Sequence, residues 1–263
     1  MKKLKTIGLL LVFAVAFASC EKVIDIDLNT ASSKYVIEGA ITNSAGPYSI
    51  KITKTKNFDE DNNYEGVAGA NVTVSDNAGN SETLMMSSPG IYQTSALAGV
   101  PGRTYHLNVE INGEVFTSAS VMANPVNMDS VFVFDFTGFG DTIKLINVVY
   151  NDPAGIPNFY KHDLIVNGKK DKSINISSDQ ASDGSRIDRG LFYRNDGEGL
   201  ISGDSVTIEM MCIDEPVHFY LFSLDQTISQ SAAAPANPVS NIKGGALGYF
   251  SAQTFQKKSL VVQ

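Results

Sequence analysis

The chain has 263 residues, with 20 Lys or Arg and 28 Asp or Glu, so its formal net charge is −8. An acidic chain repels phosphate backbones, which argues against a protein that binds nucleic acid. Trp is absent, 22 residues are Gly, and hydrophobic residues seldom repeat with the period of a helix. The composition therefore favours a chain built mainly of β-strands joined by short turns.

The N-terminus carries the features of a secretory leader. Lys2, Lys3 and Lys5 precede an almost uninterrupted apolar run over residues 7–17. A basic head, a short apolar run and small residues at a cleavage site are typical of a signal peptide, and the run is too short to cross a bilayer as a helix. We predict that residues 1–19 are removed, which takes away three lysines and no acid and leaves a net charge of −11.

Cys20 directly follows two small residues, and this arrangement resembles the lipobox of bacterial lipoproteins. The resemblance implies diacylation of the Cys20 thiol and acylation of the new N-terminus. Two or three acyl chains anchor a protein stably, whereas one chain binds only marginally. Cys212 is then the remaining cysteine, so no disulfide within the chain is possible. Its alternation with Val206 and Ile208 predicts a buried, unreactive thiol on a strand.

Residues 34–124 are predicted to form an Ig-like β-sandwich domain, preceded by a lipid-anchored N-terminal segment, residues 20–33. In that segment apolar and acidic residues alternate after Lys22, which also suits a first strand. Asn112-Gly113 is the strongest two-residue hairpin signal in the chain. Alternating polarity predicts seven short strands: 34–42, 48–54, 67–76, 81–86, 90–94, 103–111 and 114–119.

A second β-rich domain is predicted over residues 125–263, after a proline-containing junction at 122–126. Polar loops rich in Gly, Ser and Asp separate its strands, and the longest is expected over 167–185. The predicted strands are 129–136, 141–150, 159–166, 186–193 and 204–213, followed by a closing strand that ends at Val262.

The second domain contains the one persuasive helix of the sequence, residues 216–229. Asp214 or Glu215 can cap it, and Pro216 suits its first turn. Its apolar residues repeat with the helical period and form one stripe. They are Val217, Tyr220, Leu221, Leu224 and Ile228.

No motif predicts a catalytic residue, a metal site or a cofactor. Asp59-Glu60-Asp61 begins like a calcium loop, but the positions that need Gly and Glu hold Tyr64 and Ala70. The match to that motif fails, and a calcium site of another kind in this acidic loop is left open.

The other candidate groups are equally unspecific. His106, His162 and His218 lie apart, and none has a second His or Cys at zinc spacing. Residues 186–189, Arg-Ile-Asp-Arg, together with Asp183 fit a solvated loop, a surface cluster of ion pairs or a grip on an anionic ligand.

Five pieces of the sequence, taken in order, resemble one known family, the Bacteroidetes lipoproteins grouped as domain of unknown function 4249. The resemblance spans nearly the whole exported chain. It implies an exported, lipid-anchored protein, all-β at its N-terminus, that often occurs beside TonB-dependent outer-membrane receptors, and it carries over no catalytic residue. The five pieces are CEKVIDID (20–27), YVIEGAITN (35–43), GANVTVSD (69–76), GVPGRTY (99–105) and NIKGGALGYF (241–250).

We therefore expect a protein held in the outer membrane by its lipid, either in the periplasm or exposed at the cell surface. The expected role is that of a non-enzymatic accessory or ligand-binding component beside a TonB-dependent receptor. A cell-surface adhesin or structural spacer is the alternative function, and an extracellular hydrolase is the third.

Overall fold

The computed structural model describes residues 32–57, 60–61, 63–138, 141–193, 199–229 and 237–263. Within these ranges the chain is mainly β, with several sheets and one helix, and this confirms the predicted fold class. The predicted lipidation site Cys20, the signal peptide and the candidate strand after Cys20 lie outside the described residues.

Eight strands occupy the region predicted as the first domain, and all seven predicted strands are among them. The strand expected over 81–86 is divided in two at Leu84, whose side chain is buried. The strands are β1 (Tyr35–Thr42), β2 (Ser49–Lys54), β3 (Asn71–Asp76), β4 (Ser81–Thr83), β5 (Met85–Ser88), β6 (Ile91–Gln93), β7 (Thr104–Ile111) and β8 (Glu114–Val121).

Eight further strands follow, and two of them correct the prediction of one long loop over residues 167–185. These two short strands both pair with a predicted strand, 159–166, at its edge. Their residues are polar or half-buried, so no apolar alternation reveals them. The strands are β9 (Met128–Gly138), β10 (Asp141–Asn151), β11 (Phe159–Val166), β12 (Lys169–Lys170), β13 (Asn175–Ser178), β14 (Arg186–Leu191), β15 (Ser205–Ile213) and β16 (Leu247–Val261).

The strands form three sheets. The largest has nine strands in the order β12-β11-β15-β16-β1-β2-β6-β5, with β13 also paired to β11. A four-stranded sheet has the order β4-β3-β7-β8, and a three-stranded sheet has the order β14-β10-β9. The strand β16 is central to the large sheet, because residues 247–253 pair in parallel with β1 and residues 254–261 pair antiparallel with β15.

The first hydrophobic core lies between the four-stranded sheet and the β1-β2-β6 part of the large sheet. Two sheets thus face each other across buried side chains, as in a β-sandwich. Side chains from both sheets fill this core, among them Ile37, Ile50, Tyr92, Val74, Leu107 and Phe116.

Two more cores lie on opposite faces of β15, because successive residues of a strand point to opposite sides. Ile208, Met210 and Cys212 face the three-stranded sheet. Met211 and Ile213 face the helix. From Met210 to Ile213 the strand is buried on both faces, and its sequence there is continuously apolar, as such burial requires.

The helix α1 spans Glu215–Ile228, one residue earlier than predicted at both ends. Asp214 is its N-cap and accepts a hydrogen bond from the backbone N–H of Val217 at 3.2 Å. Val217, Tyr220 and Leu221 are buried, as the stripe predicts. The prediction is wrong for the last residue of the stripe, because Ile228 is 65 % exposed. The surface of the helix that packs against the protein ends before this residue.

Residues Ser33–Gln263 form one compact unit. The predicted boundary after Asn124 falls between β8 and β9, but β16 contributes Phe250 to the first core, whereas its later residues pair with β15. The two predicted domains 34–124 and 125–263 therefore share a strand, and their division at Pro125 stays a prediction.

The hairpin predicted at Asn112-Gly113 forms in the structure. Asn112 and Gly113 join β7 to β8 with φ values of 51° and 82°. Positive φ at both central residues is the requirement of a type I′ turn, which matches the twist of the strands that it joins. The prediction of this hairpin is confirmed.

Candidate functional site

A cleft of about 790 Å³ opens where the loops after β10 and β13 meet the start of α1. Residues 155–159 form one wall and residues 178–183 form another. Glu215, His218 and Phe219 from the first turns of α1 form the third wall. We call this space the carboxylate cleft, because Asp179, Asp183 and Glu215 are among its lining residues.

The loops hold three carboxylates close together. One oxygen from each of Asp152, Asp179 and Asp183 lies within 4.8 Å of the others, although the three residues come from two loops. Asp152 and Asp179 are buried, and Asp183 is exposed. Such a group has the oxygen ligands that hard cations prefer.

Neutral donors hold each carboxylate in position. Asp152 accepts hydrogen bonds from the Tyr160 hydroxyl and from the backbone N–H of Gly184. Asp179 accepts one from the backbone N–H of Asn158 at 2.8 Å, and Asp183 accepts one from that of Gly155 at 2.8 Å. No cationic side chain in the described part of the chain forms an ion pair with any of the three. Within the described residues, no ion pair therefore offsets their negative charge.

The remaining walls of the cleft are apolar and partly open to solvent. Phe219 is 52 % exposed and Ile156 is 50 % exposed, and Phe159 lies beside them. The His218 ring lies 5.1 Å from the Phe159 ring, centroid to centroid. Burial lowers the pKa of His218, and the Glu215 charge opposes this effect. No described carboxylate donates or accepts a hydrogen bond with His218, so the cleft contains no assembled acid–base pair.

Sequence analysis missed the carboxylate cleft for a physical reason. Asp152 comes from one loop and Asp179 and Asp183 from another, and the fold rather than a fixed spacing brings them together. Asp179 lies in a stretch interpreted as a polar loop, and the sequence pattern groups Asp183 with residues 186–189 rather than with Asp152 and Asp179. The one available signal is the repetition of Asp near Gly in turn-like sequences, Asp152 with Gly155 and Asp183 with Gly184.

The three histidines are not brought together into one site. His106 is exposed on β7, as predicted from its alternation. His162 is 0 % exposed on β11, and His218 is half-buried on α1.

Two of the three acidic positions of the calcium-like loop, Glu60 and Asp61, are described, and Asp61 forms an ion pair with Lys56 at 2.5 Å.

The Arg186-to-Arg189 segment is the strand β14 rather than a solvated loop. Asp188 accepts a hydrogen bond from the Asn147 side chain, and Arg186 is exposed. Arg189 points towards the second core, and its Nη2 donates to the carbonyl oxygen of Ile176 at 2.8 Å. A surface cluster of ion pairs does not form within the described residues of this segment.

Cys212 is 2 % exposed on β15, which confirms the predicted burial of this thiol. Its sulfur accepts a hydrogen bond from the backbone N–H of Val126 at 3.4 Å. Burial raises the pKa of the thiol, so the reactive thiolate is disfavoured.

Comparison with known proteins identifies a family but no activity. A family model described as a domain of unknown function, DUF4249, matches residues 21–259. No curated protein matches the chain. Among the described helices, none is long and apolar enough to cross a membrane.

Proposed function

Because the chain belongs to the DUF4249 family, whose description names no activity, we propose that it is an exported, lipid-anchored binding protein of the outer membrane. It acts without catalysis, as an accessory to a TonB-dependent receptor, and it holds a ligand in the carboxylate cleft. The cleft is the observation that carries the binding role, and the predicted leader, residues 1–19, followed by Cys20 supports the anchor.

The anchor rests on the chemistry of the first twenty residues. A basic head, a short apolar run and a cysteine after two small residues suit cleavage and acylation at Cys20. We expect the wild-type chain to incorporate labelled palmitate and to stay with the outer membrane. Cys20→Ala should lose both properties, and Cys212→Ala, which keeps Cys20, should retain them. Unchanged labelling in Cys20→Ala would reject acylation at this residue.

The cleft suits a ligand with a positive group next to an apolar group. Asp179 and Asp183 supply negative charge that no described cation offsets, and a cation is attracted to them most strongly where water is partly excluded. Phe219 and Phe159 supply aromatic faces that favour both apolar groups and cations. A pocket of a few hundred cubic ångströms with convergent polar groups is the usual form of a small-ligand site.

A thermal-shift titration with benzylammonium tests this binding role. The wild-type protein in detergent should be stabilised by benzylammonium but not by uncharged benzyl alcohol. Asp183→Asn should weaken the effect, whereas Asp225→Asn, an exposed carboxylate beyond the cleft on α1, should leave it unchanged. Equal responses to the amine and the alcohol would contradict a role for the carboxylates.

The accessory role requires a partner, and the family resemblance suggests a TonB-dependent barrel. Extraction of the native lipoprotein in a mild detergent should recover such a barrel with it. The sample from cells that carry Cys20→Ala should contain less of that barrel, because the anchor places both proteins in one membrane. A lipoprotein recovered alone, without response to any ligand probe, would favour the spacer function instead.

A hydrolase, the third of the expected functions, gains support because the carboxylate cleft gathers Asp179, Glu215 and His218 around one space. Carboxylates and an imidazole are the side chains that most often serve as general acids and bases. If the protein hydrolyses an ester or glycosidic probe, Asp179→Asn should abolish turnover while the protein stays folded. Turnover that is unchanged in that variant would exclude the cleft as an active site.

A further inference from the structure

A group of buried polar side chains lies on the side of β11 that points away from α1. His162 is the centre of this group and is 0 % exposed. Neither of its ring nitrogens has a hydrogen-bond partner among the described residues. Buried polar atoms are nearly always hydrogen-bonded, so each exception requires a physical explanation.

Other buried polar atoms lie beside His162. Asn175 of β13 is directly opposite His162 in the strand pairing, and Ser177 lies two residues further along the same face. The Nδ2 of Asn175 is buried without a hydrogen-bond partner in the described chain. The Oγ of Ser177 is also buried, lacks a hydrogen bond of normal geometry in the described chain, and interacts with the Tyr150 hydroxyl. The Tyr150 ring, from the facing sheet, lies 5.9 Å from the His162 ring. These atoms therefore line one region between the two sheets.

Arg189 of β14 reaches this region from the facing sheet. Its Nη2 donates to the backbone carbonyl of Ile176, which lies between Asn175 and Ser177 on β13. Its Nε is buried and has no acceptor among the described residues. No carboxylate in the described ranges forms an ion pair with Arg189. Among the described residues, the guanidinium is therefore a half-buried positive charge with no ion-pair partner.

The neighbouring carboxylates have other partners. Asp163 forms ion pairs with Lys161 and Lys170. Asp152 accepts hydrogen bonds from Tyr160 and Gly184. Two other neighbouring titratable groups are uncharged. Burial, assisted by the Arg189 charge, lowers the pKa of His162 to about 3, so the imidazole is neutral. Burial raises the pKa of Tyr150 to about 12, so its hydroxyl keeps its proton. Around one fixed positive charge, the region thus presents amide, hydroxyl and imidazole N–H donors.

We name this group the Arg189 cluster; its members are His162, Asn175, Ser177 and Arg189. We propose that the Arg189 cluster binds a small oxyanion, a carboxylate or phosphate group, between β13 and β14. The planar guanidinium matches the paired oxygens of such a group, and the neutral donors complete its hydrogen bonds. The site lies on the opposite face of β13 from Ile176 and α1, and it does not depend on the function proposed for the carboxylate cleft.

Buried water alone would explain part of this arrangement. Water can satisfy the amide, hydroxyl and imidazole groups, because each needs only a neutral partner. It does not neutralise a guanidinium whose charge is partly removed from solvent, and an unpaired buried charge is costly. The charge of Arg189 is therefore what favours an anion over water.

Anion titrations of the full chain in detergent test the proposal. Sodium acetate and sodium phosphate should each be compared with sodium chloride at equal ionic strength, with the thermal unfolding temperature as the readout. We expect a saturable rise with at least one oxyanion, and the arm that responds identifies a carboxylate or a phosphate. Arg189→Met should abolish the rise, and Arg186→Met, an exposed arginine of the same strand, should retain it.

Milder variants keep the test valid if Arg189→Met does not fold. Asn175→Ala and Ser177→Ala each remove one proposed donor and should shift the titration to severalfold higher oxyanion concentration. The proposal is overturned if no oxyanion gives a saturable rise in the wild-type protein. It is equally overturned if the rise is the same in the Asn175→Ala, Ser177→Ala and wild-type proteins.

Discussion

The Asp76 side chain joins the turn after β3 to Arg103, just before β7. Asp76 ends β3, and its carboxylate accepts hydrogen bonds from the backbone N–H groups of Ala78 and Asn80 in the following turn. Arg103, just before β7, donates to the same carboxylate at 2.8 Å. Burial alone would raise the pKa of Asp76, but the hydrogen bonds outweigh it and lower the pKa to about 2.

We predict that Asp76→Asn lowers the free energy of unfolding by about 2 kcal/mol at neutral pH, because buried donors lose a charged acceptor. The pKa of Asp76 is lower in the folded protein than its ordinary 3.8. The stabilisation is therefore complete above the ordinary pKa and is lost as the pH falls from about 4 to about 2. Urea unfolding of both proteins across this range should show the difference between them narrowing.

Asp61→Asn is the matched control, because Asp61 also pairs with a cation but its side chain is 73 % exposed. Solvent screens exposed ion pairs, so this variant should unfold nearly as the wild type does. Equal destabilisation by the two substitutions would contradict the role assigned to burial at Asp76.

At the scale of single elements, the parallel pair β1–β16 depends on a glycine. Gly248 has a φ of 91°, and a Cβ atom there would lie 2.1 Å from the carbonyl oxygen of Ile37 on β1. Side chains are strained at positive φ and, in addition, no space exists for one here. The close approach of the two backbones therefore requires this residue type.

We predict that Gly248→Ala destabilises the protein by about 3 kcal/mol or more, because backbone strain and a backbone clash add. Gly245→Ala is the control, since Gly245 also has a φ of 91° but no heavy atom lies within 4 Å of its Cβ position. In that variant, backbone strain alone should lower the free energy of unfolding by about 1 kcal/mol. Thermal unfolding of the two variants separates the effect of backbone strain from that of the clash with Ile37. Equal losses of stability in the two variants would show that a small shift of the backbone relieves this clash.

The start of α1 is tied to the first predicted domain through its cap. Asp214 accepts hydrogen bonds from the Ser120 hydroxyl at 2.7 Å and from the backbone N–H of Val121 at 2.9 Å, in addition to that from Val217. The carboxylate therefore joins the end of β8 to the first turn of the helix. A cap of this kind orients the helix as well as stabilising it.

We expect Asp214→Ala to lower the free energy of unfolding by about 2 kcal/mol, since it removes a helix cap and leaves further donors without an acceptor. Glu215→Ala changes the adjacent exposed residue and should cost no more than about 0.5 kcal/mol. Urea unfolding monitored by circular dichroism gives both values. If the two variants unfold alike, the link between β8 and α1 contributes nothing to stability.

At the scale of the whole molecule, the shared strand β16 joins the two predicted domains. Phe250 is one of the residues packed in the first core. Residues 254–261 of the same strand pair with β15, beside the second core. Loss of residues 247–253 would remove a neighbour from β1, and loss of residues 254–261 would remove one from β15. We therefore expect the two parts to lose their structure together.

We predict one cooperative transition for the described body of the protein. Tyrosine fluorescence and far-ultraviolet circular dichroism should give coincident denaturation curves, as two-state unfolding requires. A fragment of residues 34–124 should not fold alone, because β1 would lack the strand β16. Two separated transitions, or a folded fragment, would support the original division at residues 124 and 125.

Sequence patterns predicted local features well, because local residues determine them. Asn112-Gly113 specifies its own turn, and Asp214 with Pro216 marks the start of its own helix. The parallel pairing of β1 with β16 has no local signal, since it joins residues that are more than two hundred positions apart. The sequence identifies Arg189 and Asp183 as candidates for holding an anionic ligand but not the residues that the fold places beside them. Loops and the start of α1 assemble the carboxylate cleft, and strand pairing assembles the Arg189 cluster.

The pairing of Val36 with Leu247 also constrains the order of events as the chain is made. Because β1 precedes β16 by more than two hundred residues, one edge of β1 has no partner until β16 has been made. Contacts between such distant residues slow folding, and an unpaired strand edge meanwhile invites aggregation. The newly made chain should therefore depend on a holdase chaperone until β16 is available for pairing.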